Sequence, residues 1–286
     1  MDVGQLKDDL AELYRNRSSY WVEDARSFKN PRSKTVWELG PIFTERETYG
    51  DDDYCEAYIA ETCATCVATQ VEPNTGVQGI AKIRMQIPED PENPTSTKPQ
   101  RCSRRAGFEF YNHDTLTKLG CTCTPKLLDS VLLGQKKDEP LPGGFLFFLV
   151  MERLPGRNLV NFADLPMSER DQVRLAFAKA IREFYALRFM HNDPGRRNLM
   201  WDPENKKCYI IDLEDAYQIN DDEEPTKFMP ELDYRVWEIA GPEINCSSFG
   251  LDPMVPYDKK FIKDPDDEML EKMAADAAGK ELVFDK

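Results

Sequence analysis

At Pro155-Gly156 the hydrophobic pattern of the chain changes period, and no other feature restricts the fold as strongly. Before that point the apolar residues fall in strand-like runs: "TVWELGPIFTE" (35–45), "YCEAYIAETCATCVATQ" (54–70), "GIAKIRMQI" (79–87), "KLLDSVLLGQ" (126–135) and "FLFFLVME" (145–152). The turn signal "EPNTG" (72–76) makes a hairpin of the second and third. A helix is predicted over about 103–119. After the break, "SERDQVRLAFAKAIREFYALRFM" sets Val173, Phe177, Ile181 and Phe184 on one helical face. Ser168 and Asp171 have the spacing of a capping box at its start. Two short strands, "NLMWD" and "CYIIDLE", flank a turn at Pro203–Lys207, and short helices are predicted near 228–240 and 265–279. The class is therefore α+β: a strand-rich first half, a hinge near 152–157 and a helical second half. The expected divisions are a helical extension over 1–34 (Leu6, Leu10, Leu13, Tyr14 and Trp21 on one face), a lobe over 35–152 and a second lobe with its tail over 153–286.

Composition narrows the function. The 286 residues are 41% hydrophobic, enough for a sizeable core. Lys and Arg number 37 against 52 Asp and Glu, a net charge of −15, which disfavours DNA and anionic membranes because both require a basic face. The amino-terminal stretch lacks an apolar signal core, and the longest apolar run is far too short to cross a bilayer. A soluble, cytoplasmic protein is expected. Of the eight cysteines, Cys63 and Cys66 lie on a predicted strand, where residues three apart face opposite sides. Cys121-Thr-Cys123 lacks the usual zinc-knuckle spacing. The cysteines read as reduced thiols packed as small hydrophobes, and no metal is assigned to them.

Four short motifs follow one another in order. "IAKI" puts Lys82 on the third predicted strand, "LVMERLPGRNL" carries Met151 and Glu152 into the hinge, "HNDPGRRNLM" spaces His191, Asp193 and Asn198 as H-x-D-x-x-x-x-N, and "IIDLEDA" contributes Asp212. Together they resemble the protein-kinase-like fold, particularly its small-molecule branch of aminoglycoside- and choline-phosphotransferase-type proteins and the compact members found in fungi. The resemblance implies a two-lobed architecture with a mostly antiparallel first sheet and a shortened helical second lobe. It also implies Mg²⁺ and ATP as cofactors. Lys82 would neutralise phosphates, Asn198 and Asp212 would hold Mg²⁺, Asp193 would accept the proton of the attacking hydroxyl, and Met151 and Glu152 would border the nucleotide. His191 is expected to support the loop by hydrogen bonding. The partner of Lys82 is open between Glu109 and Asn112.

Three departures from that pattern are visible. The loop expected to be glycine-rich reads "ETYGDDDYCEAY", and Asp51, Asp52 and Asp53 either face solvent or meet a cationic substrate group. "DLE" stands in place of D-F-G, and the stretch after Asp212 is too short for a protein-substrate platform, so a small-molecule substrate is expected. Arg196 and Arg197 inside the loop either bind a phosphate or carboxylate, or pair with the acidic stretch at 220–224. Phosphoryl transfer in secondary metabolism is the leading expectation. The alternative is a repurposed fold that takes aminoacyl-tRNA, similar to the arginine-containing cyclodipeptide synthases. A pseudokinase acting only as a binding module is the third reading.

Overall fold

The computed structural model describes residues 27–49, 59–220 and 222–241. The predicted helices at 2–21 and 265–279 and the aspartates at 51–53 lie outside them. The chain forms two compact units. Of the described residues, the first contains those up to Tyr111 together with Lys126–Arg153, and the second contains Asn112–Pro125 together with those from Leu154 onward. Residues 112–125 pack with the second unit. No helix among the described residues is long and apolar enough to cross a membrane.

The first unit is a six-stranded antiparallel sheet. Its strands are β1 (Ser27–Asn30), β2 (Thr35–Thr48), β3 (Glu61–Glu72), β4 (Gln78–Gln86), β5 (Leu127–Gly134) and β6 (Phe145–Glu152), in the order β1-β2-β3-β4-β6-β5. The sheet starts earlier than the sequence suggests: β1 lies in the predicted extension and pairs with β2 from Ser27 against Glu38. Helix α1 (Arg104–Lys118) follows β4 in the chain, and the unit boundary divides it. The unbroken apolar run of β6 is explained by burial on both faces. Phe148 and Val150 join Phe28, Trp37, Ala81 and Ile83 on one side, while Phe145, Phe147, Leu149 and Met151 pack with Ala106 of α1 on the other. A buried carboxylate fastens the sheet's first and last strands. Asp129 accepts from Trp37 Nε1 (2.8 Å), Asn30 Nδ2 (2.6 Å) and the Thr35 hydroxyl.

The second unit is built on α2 (Met167–Ala186). Val173, Phe177, Ile181 and Phe184 are all fully buried, as the helical period predicts. They share a core with Phe162, Phe189, Trp201, Trp237 and neighbouring residues. The helix begins differently from the prediction. Pro166 precedes its first residue, and the Pro166 carbonyl accepts from the N–H groups of Glu169 and Arg170 at 2.9 Å. Ser168 therefore lies inside the helix, and no side chain caps it. Asp171 instead pairs with buried Arg174 at 2.9 Å, where an ion pair offsets the desolvation of both charges.

Around α2 are β7 (Arg157–Asn158), β8 (Phe189–His191), β9 (Leu199–Asp202), β10 (Lys207–Ile210) and β11 (Ala216–Gln218), with a short α3 (Pro230–Val236). They form a three-stranded sheet in the order β10-β9-β7 and a two-stranded sheet of β11 and β8. Gly156, just after the hinge, has φ +91°, and a Cβ there would stand 2.0 Å from the Trp201 carbonyl oxygen. Only glycine fits such a close backbone approach.

Candidate functional site

The sequence-selected residues form two groups, one in each unit. In the first unit, strand parity does most of the work. Lys82 and Arg84 are two apart on β4 and so share a face, opposite to Ala81 and Ile83 in the sheet's other core. Ile80, two residues before Lys82, packs in the cluster that includes Ala106 and Phe110 of α1. Glu109 lies on the same helix and meets both cations. One of its carboxylate oxygens contacts Lys82 Nζ, and the other accepts from Arg84 Nη2 at 3.1 Å and Nε at 3.3 Å. Arg84 also donates through Nη1 to Glu61 Oε1 at 2.5 Å. Two positive and two negative charges balance in a region where Arg84, Glu61 and Glu109 are buried, while the Lys82 side chain keeps 15% of its surface exposed.

The open choice between Glu109 and Asn112 is settled geometrically. Asn112 belongs to the second unit, where its amide nitrogen donates to the carbonyls of Leu213 (2.8 Å) and Ala216 (2.7 Å). One turn of helix separates the two residues, so spacing alone could not assign them. Arg84 went unnoticed in the sequence because nothing local marks it. Its signal is the parity it shares with Lys82.

Met151 and Glu152 close β6 in the same unit. Met151 is buried opposite Ile80, and Glu152 exchanges hydrogen bonds with Lys126, its N–H donating to the Lys126 carbonyl at 2.8 Å.

In the second unit, β8 delivers His191 and the chain turns through Asp193 to the short helical turn Arg196–Asn198. His191 is buried, and its ring joins two stretches of backbone. Nε2 lies 3.0 Å from the Asp212 carbonyl oxygen, and Nδ1 accepts from the Asp193 N–H at 3.2 Å. With a carbonyl at one nitrogen and an N–H at the other, the hydrogen-bond network assigns the Nε2-protonated neutral tautomer. Burial lowers the imidazole pKa from its ordinary value, which favours that neutral form. The ring also meets Trp237 edge-on at 5.4 Å.

The loop is held from within. Asn198 Nδ2 donates to the Asp193 carbonyl at 2.8 Å and reaches Asp193 Oδ2 at 3.4 Å. Asp193 Oδ1 forms an ion pair with Arg197, and both side chains are about half exposed. Arg197 therefore pairs inside the loop and not with the acidic stretch. Its guanidinium pairs with Asp193 four residues earlier, across the bend that leads into the Arg196–Asn198 turn. The acidic stretch is held instead by Arg188, which donates to the carbonyls of Asn220 and Glu223 (2.7 Å to the latter). Arg196, the first residue of the Arg196–Asn198 turn, is buried. Asp212 adopts a left-handed conformation (φ 62°, ψ 61°), uncommon for a residue with a side chain, and it cuts β10 short of the predicted "CYIIDLE".

The donor chemistry suits a hard cation. Asn198 has its amide nitrogen committed to Asp193, so the carbonyl oxygen is the end left for a ligand, and Asp212 adds a carboxylate.

No protein-family model matches the sequence, and no curated protein sequence matches it. Among solved structures the chain is similar to a kinase of Cydia pomonella granulovirus, at 13% identity and a TM-score of 0.37, covering 61% of this chain and 53% of that one. It is also similar to vaccinia related kinase 3, at 13% identity and a TM-score of 0.37, covering 74% of this chain and 57% of that one. The chain thus spans little more than half the length of either kinase.

Proposed function

We propose that the chain is a transferase of the protein-kinase-like fold that moves a phosphoryl group from Mg²⁺-ATP to a small molecule. The observation that supports this best is the Lys82–Glu109 pair, in a chain that also carries His191, Asp193 and Asn198 in one self-braced loop. Phosphoryl transfer asks for positioned charge more than for covalent chemistry. Glu109 holds the ammonium of Lys82 in place, ready to neutralise phosphate oxygens. Asn198 and Asp212 would hold Mg²⁺, whose charge offsets that of the transferred group.

Asp193 Oδ1 is engaged by Arg197, whereas among the described residues Oδ2 has only the long contact from Asn198. Oδ2 is therefore the atom that takes the proton of the acceptor hydroxyl. His191 fixes the backbone on either side of that carboxylate and transfers no proton itself. Purified protein should melt higher with millimolar ATP and Mg²⁺ than with either alone, by about 2–4 °C per kcal/mol of binding free energy. The Asp193→Asn protein should keep that shift and lose phosphate transfer to an acceptor. Absence of any shift in the unmodified protein removes the ATP reading.

A further inference from the structure

Between α1 and β5 the chain passes through Cys121-Thr122-Cys123-Thr124, a segment that phosphoryl transfer leaves unused. Both thiols are buried, and their sulfurs lie 3.4 Å apart. Glu183, from the last turn of α2, reaches the same spot. One of its oxygens and the two sulfurs all lie within 4.8 Å of one another. Packing as small hydrophobes explains the two cysteines, and Thr122 holds the carboxylate beside them, so two sulfurs and an oxygen converge on one spot.

We propose that Cys121, Cys123 and Glu183 form a binding site for a divalent d¹⁰ cation of the zinc class. Two sulfurs and one oxygen are a donor set such an ion accepts. Metal–sulfur bonds of about 2.3 Å in a tetrahedral shell set the sulfurs about 3.8 Å apart, so the observed pair needs to open by only about 0.4 Å.

The frame around the donors is already fixed. The Cys121 N–H donates to the Leu116 carbonyl at 2.9 Å, and the Cys123 carbonyl accepts from the Ile210 N–H of β10 at 2.8 Å. The Thr122 N–H and hydroxyl donate to the two oxygens of Glu183 at 2.5 and 2.8 Å, and the Thr124 hydroxyl donates to Cys121 Sγ at 3.3 Å. Hydrogen bonds of this kind orient ligands in metal sites. On binding, each thiol releases its proton to solvent, each sulfur lone pair forms a bond to the cation, and no electrons are transferred. The ion would tie the end of α1 to α2 within the second unit.

The C-x-C spacing is not that of a zinc knuckle, and the sequence could not show the third donor. Glu183 lies sixty residues away and joins the pair only through the fold.

The test uses the full chain, reduced and cleared with a chelator, then titrated with Co²⁺. A thiolate-to-cobalt absorption band should rise, saturate at a single equivalent and bleach when Zn²⁺ is added. Cys121→Ser and Glu183→Gln should each weaken Co²⁺ binding at least about tenfold. Cys102→Ser, in the first unit, should leave it unchanged. The unmodified protein decides the matter even if a variant fails to fold, since no band at a single equivalent overturns the site. A band that survives Cys121→Ser overturns it too. So does a Co²⁺-silent protein that peroxide converts to a Cys121–Cys123 disulfide, which would make the pair a redox couple instead. None of these readouts involves ATP, so they stand or fall apart from the phosphotransfer reading.

Discussion

Two ion pairs, one in each unit, use the same chemistry under opposite conditions. Glu109 meets Lys82 and Arg84 where the carboxylate is 1% exposed, whereas Asp193 meets Arg197 with both side chains about half in water. In the interior, charges that lose a partner have no solvent to fall back on, so the first network is fixed in place by the cost of disturbing it. At the surface, water replaces either partner at little cost, and the second pair can open without penalty. Under the proposed phosphoryl transfer, Lys82 would gain from the first condition and Asp193 from the second.

The largest test of this contrast is Glu109→Gln, which removes the charge shared by Lys82 and Arg84. It should lower stability by about 3–5 kcal/mol in chemical denaturation. A loss under about 1 kcal/mol would mean that the network is wet and the contrast is wrong.

The next effect follows from His191. Burial lowers its pKa below the ordinary 6.5, so below pH 6.5 the unfolded chain takes up a proton that the folded chain refuses. Stability should therefore fall as pH drops from 6.5 towards the folded-state pKa, by up to about 1.4 kcal/mol per pH unit, and His191→Gln should lose that part of the slope. An unchanged slope in the variant would place the ring in contact with solvent.

Arg197→Ala should give the smallest effect, a change within about 1 kcal/mol at low salt that shrinks further as salt is added. If its cost instead matches that of Glu109→Gln, the loop is as rigid as the sheet and the comparison fails.

Legibility in the sequence followed the range of the interaction. β6, α2 and the β3–β4 hairpin are set by residues a few positions apart, and they appear close to where periodicity puts them. Ends were less legible. α2 starts at Met167, just after Pro166, whose carbonyl accepts the first helical bonds without any side-chain cap. β10 stops where Asp212 turns left-handed, and a single residue's φ leaves no trace in an apolar pattern. β1 was missed because a four-residue edge strand carries too little alternation to register.

The sequence by itself marked the strand-rich first half, the long helix α2 and a short list of candidate residues that includes Lys82, Asp193, Asn198 and Asp212. Those follow from spacing along the chain and from the chemistry of each side chain. Pairing was decided only in three dimensions. That Glu109 and not Asn112 meets Lys82, that Arg84 shares the same carboxylate, that Arg197 turns to Asp193, and that Glu183 comes to Cys121 and Cys123 are all consequences of packing. A charge selects its partner by distance and burial. Both quantities depend on how a helix and a strand far apart in sequence are laid against each other, which no local pattern encodes.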